Sequence, residues 1–88
     1  MQIFVRIIGI KDAIALDVES SDTIKSIKEK IKNKEGIIPE KQKLIFNRKN
    51  LVDNKTLEDY KIENESTFYL FHKILKFSFK YFYVINKL

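Results

Sequence analysis

Cysteine is absent from the 88 residues, which excludes a disulfide framework, a thiolate nucleophile and a cysteine-ligated zinc site. The single histidine, His72, cannot build a histidine metal centre alone. Glycine occurs only at Gly9 and Gly36, so no glycine-rich phosphate loop stands in the chain. No apolar run approaches the roughly 18 residues of a membrane span. Met1 to Val5 alternates like a strand and Arg6 interrupts it, which is not the pattern of a signal peptide. With no catalytic constellation to name, the expectation is a non-enzymatic protein of cytoplasm and nucleus. No cofactor, metal or small-molecule substrate is expected.

What is present suits one small folded domain. Apolar residues make up 44% and charged residues 33% of the chain, enough for one modest core. The net charge of +5 is uneven. Residues 73–88 hold Lys73, Lys76, Lys80 and Lys87 and no acid, which leaves the body close to neutral. That distribution argues against nucleic acid or a membrane surface as the partner of the domain itself.

Ser21 to Phe46 organises the rest. Thr23 is placed to cap a helix, with Asp22 adding negative charge at the same end. Ile24, Ile27 and Ile31 then form one apolar stripe, and Gly36 follows the last turn where a left-handed residue closes a helix. Lys28 lies on or beside that stripe, either snorkelling at its edge or partly buried against an acid from elsewhere. Pro39 marks a turn and Lys43 to Phe46 reads as a strand. An amphipathic helix of about three turns needs a sheet to lie on.

The flanking segments supply one. Met1, Ile3, Val5 and Ile7 alternate with Gln2, Phe4, Arg6 and Ile8; after a loop from Gly9, Ile14, Leu16 and Val18 alternate again, predicting a β-hairpin. Asn47-Arg48 is a tight turn leading to a short extended piece, Lys49-Asn50-Leu51. Thr56 caps a single helical turn over Leu57 to Tyr60. In the strand after Ser66, Phe68, Leu70 and His72 share one face, and Tyr69, Phe71 and Lys73 the other. The element order is an α+β plan: a mixed sheet packed on one α-helix. Its expected core is Ile3, Val5, Ile14, Leu16, Val18, Ile24, Ile27, Ile31, Leu44, Leu51, Leu57, Ile62, Phe68 and Leu70.

Residues 1–74 resemble ubiquitin. The likeness runs through Met1-Gln2-Ile3-Phe4-Val5, Ser21-Asp22-Thr23-Ile24, Lys34-Glu35-Gly36-Ile37, Leu44-Ile45-Phe46, Thr56-Leu57, Asp59-Tyr60 and Ile62 to Thr67, in order, with one extra residue near Ile10. It implies the β-grasp fold, a Lys28–Asp53 pair, and a Tyr60 hydrogen bond to backbone near Val52. It also implies an apolar recognition patch on the outer sheet face at Ile8, Ile45, Tyr69 and Phe71. Phe71 is bulkier than the valine of the family, and Tyr69 replaces its histidine. Lys28, Lys30, Lys34, Lys49 and, if the insertion follows it, Lys11 match lysines that accept further modifiers; Arg6 and Asn64 replace two others.

The main departure lies at the end of the likeness. Ubiquitin is conjugated through two terminal glycines, which let the tail thread a narrow channel to a catalytic cysteine. Lys76 and Phe77 stand at those positions here. The expectation is therefore a non-covalent recognition module for proteins with ubiquitin-binding domains. The alternatives are a ubiquitin-type protein tag with a degenerate or misread C-terminus, and binding of nucleic acid or a membrane surface by the tail. Residues 75–88 form a divergent aromatic and basic extension. Phe77, Phe79, Tyr81 and Tyr83 alternate with Ser78, Lys80 and Phe82, which favours an extended segment that packs back on the sheet or associates with another copy.

Overall fold

A computed structural model describes residues 1–73. The C-terminal extension expected over 75–88 lies outside the described residues.

The first strand, β1 (Gln2–Ile7), turns through Gly9 at φ 77° into β2 (Lys11–Asp17). The turn is tighter than the expected loop over residues 9–12, because β2 begins at Lys11, which pairs with Ile7 beyond an irregularity between Val5 and Ile7. The helix α1 (Ile24–Glu35) follows. Thr23 Oγ1 accepts from Ser26 N at 3.1 Å, as a capping residue does. At the other end Gly36 takes φ 78° and its N–H donates to Lys32 O at 2.8 Å. Asp22, immediately before the Thr23 cap, accepts from Glu19 N at 3.0 Å, and the same oxygen lies 3.5 Å from Lys30 Nζ on the helix.

After a 3₁₀ turn at Pro39–Lys41 comes β3 (Gln42–Phe46), then β4 (Lys49–Asn50). Asn47 and Arg48 both have positive φ, 53° and 65°, the backbone of a tight hairpin. A second 3₁₀ turn, Glu58–Tyr60, leads to β5 (Thr67–His72). The described sheet has the order β2-β1-β5-β3-β4; β1 and β5 run parallel, and the other pairings are antiparallel.

Every residue of the expected core is buried in one cluster between helix and sheet. Ile7 and Ile37 join it. Ile37 packs inward immediately after the left-handed cap, where an apolar contact commonly seals a helix end. Phe46 closes the rim against Phe68, their ring centroids 5.4 Å apart.

Candidate recognition face

Strand register decides which residues share the face away from the helix. Ile45 pairs with Tyr69, and Lys43 with Phe71, across β3 and β5. Arg6 pairs with Tyr69 across β1 and β5, and its guanidinium carbon lies 6.0 Å from the Tyr69 ring centroid. Ile8 follows β1 directly, held to β5 by its N–H to Leu70 O at 3.0 Å. The fold thus brings Ile8, Ile45, Tyr69 and Phe71 to neighbouring strands of one face.

The face is not the open patch that was expected. Ile8 and Tyr69 are half-buried, but Ile45 and Phe71 are each only 5% exposed. Neither belongs to the cluster beneath the helix. Alternation along a strand sets the side to which a residue points, not how deeply that side is covered. Arg6 and Asn50, also on this face, remain exposed. Beside Tyr69 the β1–β2 turn makes an open hollow of about 570 Å³, lined among others by Arg6, Ile8, Ile10, Lys11 and Asp12. Arg6 Nε donates to Asp12 O at 3.1 Å and braces that turn.

The five candidate acceptor lysines differ sharply. Lys28 Nζ lies 2.7 Å from Asp53 Oδ1; its side chain is 11% exposed, that of Asp53 56%. The helix stripe therefore carries a largely buried lysine side chain whose ammonium is paired with an acid from elsewhere. Lys30 Nζ donates to Asp17 O at 2.7 Å and Lys34 Nζ to Ala15 O at 2.8 Å, both tying α1 to β2. Lys11 pairs with Glu35 at 3.3 Å. Lys49 is exposed on the short strand β4. The expected support under β4 is present, with Val52 N donating to Tyr60 Oη at 2.8 Å.

One buried polar residue escaped the sequence reading. Gln42 is 1% exposed, and its Nε2 donates to Lys28 O and to Ile37 O, both at 2.8 Å. It clasps the middle of α1 to the segment beyond its cap. The available signal was its position two residues before Leu44, which puts both on the inner face. Among the described residues no group of histidine, aspartate and glutamate is placed to hold a metal ion. No described helix is long and apolar enough to cross a membrane.

Among the described residues a five-stranded mixed sheet carries one α-helix on one face, and this arrangement and strand order define the β-grasp class of ubiquitin-like proteins. The chain belongs to the ubiquitin family, whose profile matches residues 3–74. It is 42% identical over 57 residues to the ubiquitin-like protein NEDD8 of Dictyostelium discoideum, covering 65% of this chain and 74% of that protein. It is 40% identical over 57 residues to ubiquitin-like protein 1 of Schizosaccharomyces pombe, covering 65% and 73%. The same identity and coverage hold for the NEDD8-like protein RUB3 of Arabidopsis thaliana.

Proposed function

We propose that this ubiquitin-like protein acts by non-covalent recognition through the outer face around Ile8, Ile45, Tyr69 and Phe71, and is not conjugated through its own C-terminus. The observation that carries the reading is Lys76-Phe77 at the positions where ubiquitin has its two glycines. A lysine and a phenylalanine fill the space that a glycine leaves for close approach of the tail carbonyl to a cysteine thiolate. Partners are proteins with ubiquitin-binding domains, and their docking requires Ile45 and Phe71 to be uncovered first.

The names of the NEDD8-type relatives favour a second reading, a protein tag whose C-terminus has degenerated or been misread. In that case the acceptor lysines matter, and Lys49 is the most available of them, because Lys28 is held in its pair with Asp53. Incubation of the full chain with a ubiquitin-family activating enzyme and ATP separates the readings. The expected result is no thioester; a reducible adduct through the C-terminus overturns the non-conjugable reading.

A further inference from the structure

We propose that Lys30 and Lys34 lock the free edge of the sheet, and that loss of their charges opens β2 to pair with β2 of a second copy. The edge lies apart from the recognition face, so the inference does not depend on the reading above.

In the described sheet β2 is an edge strand of seven residues, with a neighbour on one side only. Hydrogen bonding fixes which of its backbone groups point away from that neighbour. Val18 N donates to Met1 O at 2.8 Å, while Phe4 N turns the other way, to Ser66 O at 2.9 Å. The pairs Ile3–Leu16 and Val5–Ile14 therefore spend their backbone groups between β1 and β2, and the alternate residues Ala15 and Asp17 direct theirs outward. Such a row of outward groups is a template for another strand.

Both outward carbonyls are already taken. Lys34 Nζ donates to Ala15 O at 2.8 Å and Lys30 Nζ to Asp17 O at 2.7 Å. Four residues of helix rise about 6.0 Å and two residues of strand about 6.8 Å, so lysines one turn apart reach alternate carbonyls. Asp22 Oδ2, 3.5 Å from Lys30 Nζ, holds that ammonium from the other side. The two ammonium groups occupy the acceptors that an added strand needs and put charge where its backbone would run. Towards Lys11 the edge is guarded differently, because the register with β1 slips between Val5 and Ile7.

That slip leaves a short regular stretch from Ile14 to Asp17, and a second copy of the same stretch fits it. Antiparallel pairing about a twofold axis at Leu16 sets Ala15 of each copy opposite Asp17 of the other. The contact then uses every freed carbonyl and brings no like charges face to face. A longer extended partner would run into the irregularity. In the protein itself, transfer of an acyl group from a thioester to either Nζ forms an amide, expels the thiol and sheds the ammonium proton. The charge is then lost where the edge is guarded.

The test compares the full chain in sedimentation equilibrium with two double variants. Lys30→Met with Lys34→Met keeps both stems; Lys25→Met with Lys32→Met removes the same charge from exposed helix positions. The Lys30/Lys34 variant is expected to dimerise at least about tenfold more tightly than the parent, and the control to match the parent. In the Lys30/Lys34 variant the amide protons of Ala15 and Asp17 should exchange more slowly as concentration rises. Each single variant frees one carbonyl and should fall between parent and double variant, which carries the test if the double variant does not fold. Equal dimerisation of the Lys30/Lys34 variants and the control overturns the proposal, as does tighter association without slowed exchange at Ala15 and Asp17.

Discussion

The Lys28–Asp53 pair shows how unequal burial divides the roles of two charges. The Lys28 side chain is 11% exposed and that of Asp53 56% exposed, so solvent screens the acid while the lysine depends on it. Removing the acid strands a buried charge; removing the charge but keeping the stem leaves an apolar side chain in an apolar setting. Asp53→Ala is therefore expected to destabilise the protein more than Lys28→Met, by about 1 kcal/mol. Urea unfolding of the two variants checks the order, and the reverse ranking would show that the pair is worth little. Gln42 is the neutral counterpart: buried itself, it donates two bonds that satisfy carbonyls of Lys28 and Ile37.

Among the elements, the short 3₁₀ turn at Glu58–Tyr60 is expected to respond to pH. Thr56 N donates to Asp59 Oδ2 at 2.9 Å and Asp59 N to Thr56 Oγ1 at 3.1 Å, a reciprocal cap. Hydrogen bonding to the carboxyl from the Thr56 backbone, then from the Thr56 side chain, with a smaller contribution from the Lys55 charge, holds Asp59 below its ordinary value. A carboxyl with a depressed pKa in the folded state contributes stability above its unfolded pKa and loses it as pH falls through the folded one. Asp59→Asn should therefore be less stable than the parent at neutral pH, and the gap should close on acidification. Denaturation followed across that pH range tests this; a constant gap would mean that the charge plays no part in the cap.

At the scale of the whole molecule, one helix and one sheet share a single cluster, so damage on either side is felt by both. Ile31 on α1 is fully buried and Leu44 on β3 is 1% exposed. Truncating either to alanine is expected to cost about 2–5 kcal/mol. Near-neutral values at both positions in chemical denaturation would refute the packing. The outer face follows a different logic, because its residues serve recognition in the proposed function while Ile45 and Phe71 are already shielded. A small protein that exposed both would present a contiguous apolar surface liable to association.

The sequence by itself determined the helix phase, its caps, the strand faces and almost all of the core. These follow from periods of 3.6 and 2 and from local hydrogen bonding at Thr23 and Gly36, which need no distant partner. The order of elements was legible for the same reason, and the likeness to ubiquitin agreed with it. Tertiary structure decided three things that periodicity cannot encode. It resolved Lys28 as buried and paired, because Asp53 lies 25 residues away in sequence and meets it only when the loop before the second 3₁₀ turn docks on α1. It made Gln42 a clasp, because the carbonyls it satisfies come from two separate segments. And it closed Ile45 and Phe71 to solvent, because alternation assigns a side chain to a face while burial depends on everything else that reaches that face.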